Sequence, residues 1–417
     1  MKIFVGISSF QILAMFRRGL FYTYLAIYIR HFLGLSVTMT SLFATLPMLL
    51  NVLAQRYLWG TISDKYQKRR TLIIWGEVLG GIGTILLWFA HRIPDDRIHA
   101  GWVLIIGLTL IEVFWSMSNI GWSALISDVY AHEERGKVMG KLEGVGGVGR
   151  IAGVLAGGFL YDGLGRTFPG WGFHGGSLFI ISGVVMFLSV FPMLMVPEGG
   201  IKHGQKESEE HGLAGVFHLR GFVLFITAMS LINFGRNSVA ITISQYLTLE
   251  NGFNLSSATL GHLVNIRSVA IIITGFITGR LLNRSGAGNL LVFGSCIAAA
   301  SLFMLGTSDS MAIVALSNLV MGFSEVLIMA SSYQLAAALI PAEKRGELFS
   351  IFNATFFLSW GVASTLITGP LTDLLIAAGR TQVFAYRASF NAAALITLGG
   401  VVLLIYLLRQ TKGQSSQ

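Results

Sequence analysis

Apolar residues in this chain run on in stretches long enough to cross a bilayer as helices, about 20 to 25 residues each, and short polar turns separate them. The first six stretches cover about Ile7 to Ile29, Thr38 to Ile62, Thr71 to Ala90, Gly101 to Ser127, Val138 to Tyr161 and Gly175 to Val196. Six more follow at about Gly221 to Leu249, Ser256 to Leu282, Gly288 to Thr307, Met311 to Leu339, Gly346 to Ile376 and Val383 to Leu408. The pattern predicts an all-α membrane protein with 12 transmembrane helices. The opening residues have the look of a signal peptide, but Arg17-Arg18 interrupts the apolar run and no small-residue cleavage site follows, so they read as the first span. The longest internal polar stretch, Pro197 to Arg220, has the composition of a solvated linker. It divides the chain into a bundle at 1–196, a cytoplasmic linker at 197–220, a second bundle at 221–408 and a tail at 409–417.

Composition agrees: 53% of residues are hydrophobic and only 12% are charged, against roughly 25% in soluble domains. A lone Cys296 allows no internal disulfide and offers no ligand cluster. The basic excess, a net charge of +9, has a topological explanation and does not point to nucleic acid. With the N-terminus in the cytoplasm, 17 basic residues fall in the cytoplasmic turns and tails and six on the other side. This bias places both termini in the cytoplasm of a multi-pass protein of the plasma (inner) membrane.

Gap-free comparison of the two halves at an offset of 219 sets Gly60 on Gly279, Asp64 on Asn283, Lys65 on Arg284 and Arg17 on Arg236. The stretches Gly60-Thr-Ile-Ser-Asp64-Lys65-Tyr-Gln67-Lys68-Arg69-Arg70 and Gly279-Arg-Leu-Leu-Asn283-Arg284-Ser-Gly286 both resemble the loop between helices 2 and 3 of the major facilitator superfamily. In that motif a glycine permits close helix contact, and a carboxylate with a basic cluster at a helix end forms a breakable latch. Gln67 stands at the motif's second glycine. Glu133-Glu134-Arg135-Gly136 and Glu343-Lys344-Arg345-Gly346 form a second matched pair, 210 residues apart. Gly149-Arg150-Ile-Ala-Gly153-Val154-Leu-Ala-Gly157-Gly158 resembles the superfamily's antiporter motif, with Val154 in place of its proline. The resemblance covers essentially the whole chain. It implies two pseudo-symmetric six-helix bundles around a cavity that opens alternately to either side.

Charged residues inside spans are expensive and therefore candidates for function. Arg17 and Arg18 lie near the middle of span 1, Arg236 at the matching place in span 7, and Arg267 within span 8. A guanidinium fork suits carboxylate or phosphate, and the resemblance to organophosphate and organic-anion branches implies that such arginines hold an anion. The alternative is that they pair with buried glutamates. Adjacent residues point about 100° apart on a helix, and the sequence leaves open which of Arg17 and Arg18 faces inward. Tyr22, Asn51 and Asn233 join them as candidate solute-binding residues. Glu77, Glu112 and Glu325 are the deepest carboxylates and, with His262, the candidates for carrying a proton. Gating residues are Gly60, Asp64, Lys65, Arg69, Gly279, Asn283, Arg284, Arg150, Gly153 and Gly157, with Arg150 open between a lone gating charge and a partner for Glu112.

The literal G-x-G-x-x-G at Gly144 to Gly149 lies within a span with no strand before it, which is helix packing rather than a nucleotide loop. No nucleotide loop of the Walker type, no metal motif and no catalytic constellation is evident, so neither enzyme activity, cofactor nor metal is expected. The reading is a monomeric secondary active transporter for a small organic solute, with an anionic group favoured, coupled to protons or to exchange. The alternatives are a proton-driven multidrug efflux antiporter and, from another class, a non-transporting membrane sensor or chaperone.

Overall fold

The structure, a computed structural model, describes residues 2–130, 132–164, 170–199, 220–340 and 345–414. Every regular element among them is helical. Eleven helices are long and apolar enough to cross a membrane, and a shorter apolar helix, Ser177–Met193, stands at the place of the sixth span. In chain order they are α1 Lys2–Phe32, α2 Val37–Ser63, α3 Arg69–His91, α4 Arg97–Val129, α5 His132–Tyr161 and α6 Ser177–Met193. The remainder are α7 Gly221–Leu247, α8 Ser257–Ser285, α9 Ala287–Thr307, α10 Met311–Leu339, α11 Ile351–Ala377 and α12 Gln382–Gln414. The chain divides into two compact units, Met1–Lys206 with Leu255–His262, and Glu207–Asn254 with Leu263–Gln417. The first turns of α8 thus cluster with the first unit. Most of the expected linker lies outside the described residues.

Local chemistry sets several helix ends. Ser36 caps α2 by accepting from the Met39 amide at 3.2 Å, and Asp96 caps α4 by accepting from the His99 amide at 3.0 Å. That bond, with a second from the His99 ring, holds the exposed Asp96 carboxyl below the usual carboxylate range. One π-helical turn, Tyr28–Phe32, ends α1, and two others, Gln55–Trp59 and Ser364–Thr368, interrupt α2 and α11.

In the first unit α1 and α5 pack backbone to backbone. Gly149, Gly153 and Gly157 recur every four residues on one face of α5. A Cβ at each would stand 2.3, 2.0 and 2.6 Å from the carbonyl oxygens of Ile12, Phe16 and Leu20. The contact is reciprocal, since a Cβ at Gly19 would lie 2.4 Å from the Arg150 carbonyl. Lipid gives helices no hydrophobic reason to associate, so small residues that bring backbones into van der Waals contact supply the attraction. Tyr24 adds a hydrogen bond from its hydroxyl to the Val154 carbonyl at 2.7 Å, at the position where the motif carries proline.

At the far end of α1, Tyr28 stacks between Phe32 and Phe173, both at 5.0 Å. Its hydroxyl lies 3.1 Å from His91 Nε2, while His91 Nδ1 lies 3.2 Å from the Leu87 carbonyl. A carbonyl only accepts, so Nδ1 carries the proton and Nε2 accepts from the tyrosine. His91, in the last turn of α3, is buried, and His262, within α8 near its start, is exposed.

The second unit adds polar ties to close glycine contacts of its own, since a Cβ at Gly235, Gly322 or Gly400 would stand 2.8, 2.6 and 2.8 Å from the carbonyl oxygens of Ala393, Arg267 and Ala228. Ser301 on α9 and Ser317 on α10 exchange hydroxyl-to-carbonyl bonds of 2.9 and 3.0 Å. On α12, Tyr386 donates to Gln245 Oε1 at 2.8 Å and Arg387 to the Tyr246 hydroxyl at 2.8 Å. Arg387 also pairs with Asp309.

The α1–α5 contact makes a sharp prediction. Gly153→Ala should cost about 1 to 3 kcal/mol as an overpacking change against rigid backbone and lower the melting temperature in detergent, with Gly153→Leu worse. Gly144→Ala on the same helix, where nothing lies within 4 Å of the new Cβ, should leave it unchanged. Three indistinguishable melting temperatures would rule out this packing.

Candidate functional site

Adjacent arginines on α1 part company. Arg17 turns into the first bundle, 4% exposed, with its guanidinium 4.2 Å from the Trp115 ring and Nη1 3.8 Å from Glu77 Oε2. Glu77 also accepts from Ser118 at 2.9 Å and Ser189 at 3.3 Å. The pair joins α1, α3, α4 and α6 out of contact with solvent. Arg18, one residue on and about 100° round the helix, is exposed.

Glu112 on α4 is held differently. The Asn51 amide donates to its Oε1 at 2.5 Å, and Gln55 in turn donates to Asn51 Oδ1 at 2.6 Å. Asn51 and Gln55 are four residues apart on α2, hence on one face. The charges of Arg18 and Arg17 both reach Glu112, yet no salt bridge to it is present among the described residues. Tyr22 packs edge-on to Trp115 at 5.7 Å and lies within the field of Glu112 and both arginines. The first unit therefore sets Arg17 and Tyr22 against Trp115, with Glu77 beside Arg17 and the Asn51–Glu112 pair within the field of both arginines.

A second cluster forms in the second unit. Arg236 on α7 is 3% exposed and donates from Nε to Asn233 Oδ1 at 3.2 Å. Asn233 donates onward to Thr355 at 3.2 Å, and neighbouring Asn237 to Ser359 at 2.8 Å. Phe356 lies 5.9 Å from the Arg236 guanidinium. Arg267 on α8 closes on Glu325 of α10 with bonds of 3.1 and 2.8 Å to one carboxylate oxygen, beside the Trp360 ring at 5.8 Å. Arg236 feels the charges of Glu325 and Arg267, so two guanidinium groups share the field of one carboxylate. Arg236 Nη1 is buried without a hydrogen bond.

The loop motif turns out differently from its sequence expectation. Gln67, at the motif's second glycine, takes the left-handed conformation (φ 55°) that glycine favours, and its Oε1 accepts from Arg69 at 3.2 Å. A Cβ at Gly60 would meet its own helix and no other element. Gly60 closes the π-helical turn of α2 by donating to the Gln55 carbonyl, which a Cβ would meet at 2.7 Å. Gly279 has nothing within 4 Å of a built Cβ. Arg69 pairs with Asp128 at 3.2 Å and donates to Ser63, while Arg70 pairs with Glu198 at 3.2 Å. Glu198 also accepts from the Thr71 amide and hydroxyl at 2.9 and 3.0 Å, placing a carboxylate at the N-terminus of α3.

Asp128 and Glu198 went unnoticed in the sequence because they lie outside the motif. The signal for both was a basic cluster with too few acidic neighbours. Lys65, Asn283 and Arg284 are exposed, as is Arg150. The Asp64 side chain lies outside the described residues, as do those of Glu133 to Gly136 and Glu343 to Gly346.

Comparison with known proteins fits this geometry. The family model described as Major Facilitator Superfamily matches residues 7–364 and 225–417. The chain belongs to the major facilitator superfamily. "Multidrug resistance protein MdtG" of Escherichia fergusonii is 26% identical over 369 residues, covering 82% of this chain and 78% of that protein. "Multidrug resistance protein 2" of Bacillus subtilis is 23% identical over 188 residues, covering 45% of this chain and 44% of that one. Among solved structures, a bacterial homologue of the human lysosomal transporter Spinster superposes with a TM-score of 0.70 at 14% identity over 98% of this chain and 96% of that one. The nucleoside transporter NupG superposes with a TM-score of 0.69 at 13% identity over 98% and 99%. The chain is thus an all-helical multi-pass membrane protein of the 12-helix superfamily fold. It is a secondary transporter of small-molecule solutes and not an enzyme.

The Arg17–Glu77 pair makes a prediction of its own. Glu77→Gln alone strands a buried guanidinium and should cost about 3 to 5 kcal/mol, seen as a lower melting temperature in detergent. Adding Arg17→Met should recover most of that loss. A double variant as unstable as the sum of the two single variants would show that the residues do not act as a pair.

Proposed function

We propose that this transporter is a proton-coupled exporter of small organic solutes in the plasma (inner) membrane, with both termini cytoplasmic and Glu112 as the group that carries the proton. The single observation behind the proton site is the contrast among the three deep carboxylates. Glu77 and Glu325 each face a guanidinium in a salt bridge. A guanidinium stays charged at any physiological pH, so each of these carboxylates already has a fixed cation answering its charge. Glu112 is held by a neutral amide instead, which accommodates either protonation state.

Arg18 lies within reach without being a salt-bridge partner, so its charge steadies the ionised form when the proton has left. Trp115 and Tyr22 beside the carboxylate offer aromatic surface for an apolar solute. The direction of transport follows the multidrug-resistance relatives, and the orientation follows the bias of basic residues. The sensor reading loses its support, because nothing in either cluster distinguishes it from transport machinery.

A second reading is favoured by the buried arginines, since Arg236 Nη1 makes no hydrogen bond and neither do Arg17 Nε and Nη1. An anionic solute could supply the missing acceptor. Binding stabilises the folded protein by mass action, so a melting-temperature panel of carboxylates, phosphorylated metabolites and lipophilic cations distinguishes the two. Stabilisation by anions that disappears in Arg236→Ala would establish the second reading.

The proton site is tested in proteoliposomes with a fluorescent lipophilic cation. Glu112→Gln should reduce pH-gradient-driven accumulation by 10-fold or more, about 1.4 kcal/mol for each factor of 10, and leave exchange without a gradient intact. Gradient-driven accumulation at the wild-type rate in this variant would refute the assignment.

A further inference from the structure

A groove of about 430 Å³ lies on the second unit between α9 and α12, away from both charged clusters, lined by Asn289, Val292, Phe293, Cys296, Leu408 and Arg409 together with Ile405. The two helices abut at one end. A Cβ at Gly288 would stand 2.8 Å from Leu408, which sets the first turn of α9 beside the last turns of α12. Asn289 and Arg409 therefore share that end. Cys296 lies seven residues further along α9, about 10 Å deeper at 1.5 Å per residue. Polar groups are gathered at one end of the groove and apolar ones along its depth.

Phe293 is 56% exposed, and no other described element covers the groove. Arg409 is exposed and has no salt bridge among the described residues. The exposed Arg280 and Arg284 lie in the last turns of α8, which leads into α9. An apolar furrow opening to the hydrocarbon, with an uncompensated guanidinium and an amide at its mouth, matches a ligand that has an acyl chain and an anionic headgroup. Zwitterionic lipid offers the guanidinium no net charge, whereas a phosphodiester of net charge −1 accepts two parallel bonds from it.

We propose that this groove is a binding site for an anionic phospholipid, its phosphate held by Arg409 and Asn289 and one acyl chain laid over Val292, Phe293 and Ile405. The site is independent of the solute and proton assignments, since it shares no residue with them.

The test is melting temperature and native mass spectrometry of the delipidated, detergent-purified full chain with phosphatidylglycerol, phosphatidylcholine or soluble glycerol phosphate. Phosphatidylglycerol is expected to stabilise the protein and remain bound. Phosphatidylcholine and glycerol phosphate are expected to do neither. Arg409→Gln should lose the effect, and Cys296→Trp, which fills the furrow and leaves the arginine in place, should lose it too. Arg284→Gln, outside the groove, should retain it. Equal loss in Arg284→Gln would reduce the effect to general surface charge, and equal stabilisation by phosphatidylcholine or by glycerol phosphate would remove the anionic headgroup or the acyl chain from the argument. Any of these results overturns the proposal.

Discussion

A charge carried to the depth of a bilayer must find a counter-charge, a set of hydrogen bonds or water, because the hydrocarbon supplies none of them. That constraint organises both units of this transporter. In the first, Arg17 is neutralised by Glu77 and covered by Trp115, which commits one of two adjacent arginines to the bundle interior. The helical repeat then leaves Arg18 on the open side, within reach of Glu112. In the second, Arg267 takes Glu325, and Arg236 is left with an asparagine and one buried nitrogen without a bond. Among the described residues, what remains after pairing is Glu112 without a salt bridge and two guanidinium groups, Arg17 and Arg236, each with buried nitrogen that makes no hydrogen bond.

The two halves repeat in sequence, and both bring glycines against facing backbone. The first relies on the glycine ladder of α5 against α1, where carbonyl oxygens occupy the space a side chain would need. It also has a dense web at the start of α3, in which Arg69, Arg70 and Thr71 bind Asp128 and Glu198. The corresponding turn of the second half has Asn283 where the first has Asp64, and its Arg284 is exposed. The degenerate copy of the motif carries its second glycine at Gly286, with φ of 75°.

Span positions were legible because bilayer thickness imposes a length and a composition that no soluble constraint imitates. The family was legible because its motifs recur at fixed spacing in both halves. Burial of individual polar residues was not. Arg17 and Arg18 are chemically identical neighbours, and only the packing of α3 and α4 against α1 separates them. His91 was missed because it sits at the last turn of α3, at the edge of an apolar run, where its bond to Tyr28 depends on a residue 63 positions away. His262 shows the reverse case, a histidine within an apolar run whose exposure the run does not announce. Gly60 fits the family motif for a reason internal to α2, namely closing a π-helical turn that no periodicity in the sequence announces.

Gln67 shows how a departure from a motif is absorbed. A residue with a Cβ in the left-handed region costs about 1 kcal/mol or more relative to glycine, and here the conformation persists although glycine is absent. The side chain supplies a compensation that glycine could not, accepting from Arg69, the same arginine that pairs with Asp128. A turn that glycine would adopt by freedom alone is instead fixed by a bond to the charged web beside it. The strained backbone and the Arg69–Asp128 pair thereby become one cooperative unit. The geometry of the α2–α3 turn then depends on the charge web staying closed, which couples a local backbone choice to the ends of α3 and α4.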